Sequence, residues 1–571
     1  MPYLAPILGL LSIFADRTIR CGFGTTLATN RLCAFNAGSI RPVRQRYLTG
    51  RNNMRSLTHR LASLLLAVML FGGVSVPTVQ AAPNTLTYAM YGDIKDWDPA
   101  VAFSLEVIML ANVYEPLIWY NPPDSDERFT PGLATEWSAS DDGTTWTFDL
   151  RPNVRFHDGT PFNAAAAKAS IERTIEMGQG AYYIWDPVER IEAPDDTTLV
   201  IHTSEPAPID LIASSQYGAY MYSPTAAEKG SDWFNEGNAA GTGPYRVRQW
   251  AQGQQVVLES FDDYWGGTEN GQFERVFLRV VTENATQLQM LQSGEADFIS
   301  LVPADAMDRL NQRDGITAEL VPSWMNSQFL INTQKAPTDN LKFRQALVHA
   351  WDYATVVEDI YADSAVPARG IVPATMWGHN DAIETPEFDL DKARQLIEES
   401  GVPASERTIS MAYIGTSEEY TNAAQLYQHL LGQIGVEVEL RPGPWGTIWD
   451  QAKNLETAPN LQSMTWWPTY PTPSDWLIGL FRTENSTLFN LSHYSNPEFD
   501  ELVTEGARLE GIDREAAIAK YHRAQEVVME DATAIFYADL QSRIARQSNI
   551  QGHEPNPAYA AVFFRQLRRA D

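Results

Sequence analysis

Tyr420 to Leu440 reads YTNAAQLYQHLLGQIGVEVEL, and the change of period inside it decides the fold class. Tyr420, Ala424, Tyr427 and Leu431 recur every three or four residues, which puts them on one face of a helix. Gly435 supplies the stop. Val436, Val438 and Leu440 then alternate with acidic residues as a half-buried strand. A helix that hands its chain to a strand in this way is a crossover unit of an α/β fold. The same grammar lies on both sides. Upstream, Asn284 is placed to cap a helix bearing Leu288 and Leu291 that stops at Gly294, ahead of a strand at Asp297-Phe298-Ile299. Asp389 caps a helix with Ala393, Leu396 and Ile397 that ends near Gly401. Downstream, Asp513 caps a long helix with Ile518, Tyr521 and Val528, followed by the apolar strand Ala534 to Tyr537.

The first half reads differently. From Thr144 to Leu150 the string TTWTFDL alternates, with Trp146, Phe148 and Leu150 on one face and Asp141-Asp142-Gly143 as the turn before it. Leu199 to Ile201, Gln255 to Leu258 and Val276 to Val281 are further short strands between Gly, Pro and Asp. No period of about 20 to 50 residues recurs, so a solenoid or propeller is not expected.

The 571 residues carry 42 basic and 72 acidic side chains, a net charge of -30, and 44% are hydrophobic. That share supports a large core, and at about 100 to 200 residues per domain the length suggests two to four lobes. The acidic excess repels phosphate backbones and anionic headgroups, so neither nucleic acid nor a membrane surface is an expected partner. After the N-terminal region no apolar stretch is long enough to span a bilayer, and stable membrane insertion is not expected.

Met54 to Ala81 reads MRSLTHRLASLLLAVMLFGGVSVPTVQA: Arg55 and Arg60, an apolar run from Leu61 to Val74, then a small-residue cleavage site at Val79-Gln80-Ala81. This is a secretory signal pattern and implies the periplasm. Residues 1–53 read as a mis-called start or an extra presequence. No Cys stands at the cleavage site to carry a lipid. Both cysteines, Cys21 and Cys33, precede Met54, so the processed chain uses no thiol chemistry. It would hold 33 basic residues, of which 8 are Lys, against 71 acidic ones. Its eight His are scattered without ligand spacing, so no metal and no cofactor is expected.

Several strings, in this order, resemble the bacterial extracellular solute-binding proteins of family 5, the dipeptide-, oligopeptide- and nickel-binding group of ABC importers. They are NVYEPLIWY from Asn112, LATEWSASDDGTTWTFDLRPNVRFHDGTPFNA from Leu133, GTGPYRVRQW from Gly241, DDYWGG from Asp262 and TQLQMLQSGEADF from Thr286. KFRQALVHAWD from Lys342, TMWGHND from Thr375, DLDKARQLIEESG from Asp389 and YSNPEFDELV from Tyr494 complete the series. The resemblance covers nearly all of the chain after the signal. It implies a two-lobed periplasmic-binding-protein-like α/β fold of the large type II, with mixed sheets, a two-strand hinge and an extra β-rich subdomain. Carried over, lobe one holds 82–323 and 533–571, its subdomain runs from about 121 to 240, and lobe two holds 324–532. Within FHDGTPF, His157-Asp158-Gly159 reads as a tight turn rather than a catalytic pair, because adjacent residues there point apart. GTGPY is expected to shape the junction between lobes.

A cleft that engulfs a solute needs flat apolar walls and a few fixed polar groups. The stretch TWWPTYPTPSDWL from Thr465 packs Trp466, Trp467, Tyr470 and Trp476 among prolines, and by resemblance it lies at the cleft in lobe two. Core burial is the plain alternative for such rings. In the family's peptide binders an acid in this loop, four positions before a proline matching Pro473, pairs with the peptide ammonium. Here that position is the neutral Thr469, which argues against an ordinary free-N-terminus peptide; Asp475 is a candidate substitute. The resemblance also carries over Asp93, Asp96 and Trp97 in the first loop, Asn326 near the lobe crossing, Tyr420, and Trp445. The family's lobe-two Arg for a ligand carboxylate is missing from GTSEEY at Gly415. The implied function is a non-enzymatic, monomeric receptor that captures a peptide or peptide-like solute by lobe closure and delivers it to an ABC permease and its ATPase subunits. An opine, a short sugar or a metal chelate are alternatives, and a secreted hydrolase is the rival from another class. No GxxxxGK[ST], GxSxG or HExxH string is present.

Overall fold

The computed structural model describes residues 84–267, 272–300, 302–362 and 364–570, so the signal segment 54–81 lies outside the described residues. Lobe one is built on strands β1 (Thr85–Met90), β6 (Tyr245–Ala251), β7 (Gln255–Ser260), β8 (Arg275–Val280) and β9 (Phe298–Ile299). Between β1 and β6 the chain forms the antiparallel subdomain β2 (Ala134–Ala139), β3 (Thr145–Leu150), β4 (Val188–Glu192) and β5 (Thr198–Thr203), in the order β2-β3-β5-β4. Trp146, Phe148 and Leu150 all point to its buried face, as their alternation requires. Helix α1 (Val107–Val113) is wholly buried in lobe one, and α2 (Ala164–Met177), capped by Asn163, packs on the subdomain.

Two long strands, β10 (Ile316–Ile331) and β15 (Ala534–Gln547), run antiparallel from lobe one into lobe two. They pair from Ile316↔Gln547 to Leu330↔Ala534, with register shifts between Pro322 and Asn326 and again at Ser327. These irregularities sit where the chain passes between lobes, and a bulge there bends and twists the pair. Lobe two adds β11 (Ala365–Pro367) beside β15, and β12 (Thr408–Ile414), β13 (Glu437–Gly443) and β14 (Leu461–Trp466) beyond β10. One mixed eleven-stranded sheet therefore passes through both lobes. The short strand expected at Ala534 to Tyr537 is in fact fourteen residues long, because its polar continuation, Gln541 to Arg543, still pairs with β10. Apolarity marked only the part buried in lobe two.

The lobe-two helices that matter here are α3 (Leu390–Glu399), α4 (Glu418–Gln433), α5 (Trp445–Ala452), α6 (Pro473–Phe481) and α7 (Arg514–Glu530). Asp389 accepts hydrogen bonds from the N–H groups of Asp391 and Lys392, and Asp513 from that of Ala516, so both caps are as expected. Asn284 is not a cap. Its helix begins at Asn284 behind Glu283, with no side chain on the free N–H groups. The apolar face of α4, including Ala424, Tyr427 and Leu431, joins Phe329, Trp351 and Tyr537 in one core. A separate core gathers β1, α1 and the subdomain.

GTGPY lies inside lobe one rather than between lobes. The Gly243 N–H donates to Val113 O at 3.0 Å, and His157 binds the backbone O of both Gly241 and Gly243. A Cβ on Gly241 would stand 2.0 Å from Val113 O, which only glycine avoids. Burial pushes His157 down to about 4, leaving a neutral imidazole that pins this backbone.

Candidate functional site

A cavity of about 380 Å³ lies where the two long strands pass between the lobes. Tyr88, Tyr91 and Tyr217 face it from lobe one, and Tyr361 and Trp467 from lobe two. Trp324 of β10 and Arg543 of β15 close it along the crossing. Rings from both halves thus supply flat apolar walls, with hydroxyl edges for orientation.

Beside the cavity the lobes touch directly. The Tyr183 hydroxyl meets Thr469 Oγ1 at 2.8 Å, Ser215 Oγ donates to Thr469 O at 2.7 Å, and the Gln216 amide donates to Pro468 O. Phe103 of lobe one and Phe489 of lobe two lie 6.5 Å apart, centroid to centroid. From Phe489 the ring contacts continue to Trp466 at 5.1 Å and to Trp449 at 5.6 Å, whose stacked neighbour is Trp445.

Of the loop at Thr465, Trp467 and Pro468 line the cavity, Trp467 half-buried and Pro468 buried. Trp466 is buried, and its indole N–H donates to Asp475 Oδ2. Thr469 is 1% exposed and spent on the lobe contacts above, so its place is filled by a neutral strap. Tyr470 reaches the Ser474 hydroxyl. Asp475 is also buried. It accepts the Thr469 N–H at 2.8 Å, and burial pushes its carboxyl up to about 7. Its role in the geometry is to hold the loop.

The first-loop residues do not join these. Asp93 accepts from Ile94 N–H, Trp250 Nε1 and Gly253 N–H, tying the loop to the β6–β7 hairpin. The Asp96 carboxyl is held above its usual range by burial, against a hydrogen bond from Asn235. Trp97 is fully buried against Trp250. Asn326 is also fully buried and donates to Asp539 Oδ1 at 2.6 Å, inside the crossing. Tyr420 is buried with its hydroxyl on Thr465 Oγ1 at 2.6 Å. Trp445 is half-buried on its Trp449 neighbour, two rings away from the inter-lobe contact.

Sequence reasoning missed Arg543, Tyr217 and Tyr183. Arg543 stands in the polar end of β15, which apolar patterning could not mark as strand. Its Nη2 donates to Glu419 Oε1 at 3.0 Å, so the GTSEEY loop does meet an arginine, supplied by the crossing strand. Burial of Glu419 opposes its charge, but backbone and Arg543 hydrogen bonds outweigh this and hold its carboxyl below the usual range. No cluster of three or more His, Cys, Asp or Glu suited to a metal ion occurs among the described residues.

Comparison with known proteins is consistent in kind. The chain is 28% identical over 518 residues to the probable D,D-dipeptide-binding periplasmic protein DdpA of Escherichia coli K12, covering 89% of this chain and 98% of that protein. It is 29% identical over 444 residues to the glutathione-binding protein GsiB of Shigella dysenteriae, covering 75% and 84%. Its fold superposes on the periplasmic binding protein DppA of Helicobacter pylori in complex with the peptide STSA, with a TM-score of 0.75 at 23% identity over 85% of this chain and 98% of that one. It also superposes on NikA of Brucella suis in complex with Fe(III)-EDTA, with a TM-score of 0.76 at 20% identity over 85% and 99%. Residues 128–487 match the model of the bacterial extracellular solute-binding proteins, family 5 middle region, and with a hinged two-lobed fold around an aromatic cavity, the chain belongs to that family.

Proposed function

We propose that the protein is the periplasmic receptor of an ABC importer, taking a peptide or peptide-like solute between its lobes and delivering it unchanged to a membrane permease driven by ATPase subunits. The observation that carries this reading is a cavity walled by both lobes and both crossing strands. A ligand that touches both halves binds the closed form better than the open one, and only that difference moves the equilibrium. Shifting it from 1:99 to 99:1 takes about 5.5 kcal/mol. Micromolar capture supplies about 8.2 kcal/mol and accommodates this.

The size of the cavity suits a small molecule, since such sites hold roughly 300 to 1,000 Å³. The ligands for which the relatives are named, D,D-dipeptide and glutathione, support a peptide-like cargo. The signal pattern at 54–81 supports export, and among the described residues no helix is long and apolar enough to cross a membrane. Binding without catalysis fits the buried carboxylates near the cavity, because Asp475 and Asp539 are committed to holding backbone and side-chain partners. Within the cavity, recognition falls to Tyr217, Trp467 and their neighbours. Asp93, Asp96, Trp97 and Asn326 act as scaffold.

Mass spectrometry of the solute released from the purified protein by mild denaturation tests the reading. A bound peptide-like compound, and a scattering profile that contracts when it is added back, are expected. Turnover of that compound, or uptake that survives deletion of the permease, defeats it.

A further inference from the structure

We propose that the solute carries a carboxylate held by Arg543 and no free ammonium group, as in an N-acylated amino acid or peptide. This deepens the receptor reading and rests on it. The observation is the ionic content of the cavity wall. Among the described residues that line it there is no Asp and no Glu, and the cations are Arg543 and His553. Burial pushes His553 toward the neutral imidazole, leaving Arg543 as the one charged group among the described residues of the wall.

Arg543 is suited to a carboxylate. Its Nη2 is spent on Glu419, and no other acceptor among the described residues takes a hydrogen bond from it. A guanidinium has five N–H donors in a planar fork, so the remaining edge can meet a second carboxylate in the same plane. The side chains of Arg543 and Glu419 are 20% and 31% exposed, and of the two Arg543 lines the cavity. Glu419 both aims the guanidinium and competes for it.

An ammonium finds no carboxylate on the described wall. The carboxylate behind the lobe-one wall, Glu106, is 3% exposed and does not line the cavity. Its Oε1 takes the N–H groups of Lys95 and Asp96. The loop from lobe two offers Thr469, which is closed off by the Tyr183 hydroxyl. A buried unpaired cation is costly, whereas an acyl-blocked nitrogen presents a neutral amide to Tyr and Ser hydroxyls.

Calorimetry with leucyl-leucine, N-acetyl-leucyl-leucine and N-acetyl-leucyl-leucinamide separates the contributions. The N-acetyl acid is expected to bind at least about tenfold more tightly than either the free dipeptide or the amide, the range of one charge-assisted hydrogen bond. R543Q, checked for wild-type melting, should erase the acid-over-amide preference while leaving the amide unchanged. E419Q removes the competitor and should tighten the acid alone, which keeps the test decisive if R543Q does not fold. A free dipeptide that binds as tightly as its N-acetyl form overturns the inference. Equal affinity for acid and amide, or no binding by any of the three, overturns it as well. The receptor reading fails separately, if the protein carries no solute and contracts with none of a library of peptides, opines, sugars and chelates.

Discussion

Single side chains at the cleft divide into those that touch the cavity and those that hold it. Trp467 lines it, so Trp467→Ala should weaken binding of the native solute by on the order of 2 kcal/mol, as for a central aromatic anchor. Trp445 reaches the inter-lobe contact only through Trp449 and Phe489, so Trp445→Ala should leave affinity within about 0.5 kcal/mol. Titration calorimetry on both variants tests the assignment, and equal losses would sink it. Asp475 holds the loop, and its burial has a pH consequence. Its folded carboxyl sits at about 7, well above an unfolded value of about 3.9. The folded form therefore binds more protons in this window, and stability is full below about pH 4 and is lost as pH rises through 7. Glu510, also raised to about 7 by burial, and Asp539, raised to about 6, act in the same sense. Between pH 5.5 and 8 the melting temperature should fall, and Asp475→Asn, whose amide oxygen can accept the same two hydrogen bonds, should flatten that slope. A melting temperature that rises with pH over this range contradicts the burial argument.

At the scale of elements, most signals that rest on local chemistry match the structure, the cap expected at Asn284 being an exception. The period of α4, the caps Asp389 and Asp513, and the alternation of β3 follow from residues a few positions apart. The glycines of GTGPY are set by contact across the chain instead. Gly241 lies against the last carbonyl of α1, and its extra methyl has no room. Gly241→Ala should destabilise the protein by about 2 to 3 kcal/mol, read as a lower urea midpoint with an unchanged slope. A neutral result would mean that α1 shifts freely, against its complete burial.

Closure belongs to the whole molecule. The strap from Tyr183, Ser215 and Gln216 to the Pro468–Thr469 backbone and side chain adds to whatever the solute contributes. Tyr183→Phe removes one of these hydrogen bonds, a net loss of about 1 kcal/mol, or about a fivefold shift toward the open form. Small-angle scattering without solute should show a larger mean dimension for this variant, with the same dimension as wild type at saturation. If the unliganded profiles coincide, the strap does not contribute to closure.

The sequence by itself determined the α/β class, the β-rich first half, the family resemblance and the aromatic loop at Thr465. Each of these is written in local period, turn chemistry or the order of short strings. The membership of the cavity was decided only in three dimensions. Trp97, flanked by two aspartates, is core, whereas Trp467, flanked by Trp466 and Pro468, is wall, because burial depends on which distant strand packs alongside. Arg543 was silent because a polar residue at the far end of a strand has no signature until β10 pairs with it and α4 brings Glu419 to its guanidinium. Local free energies choose the elements; the contacts among elements distant in the chain choose the site.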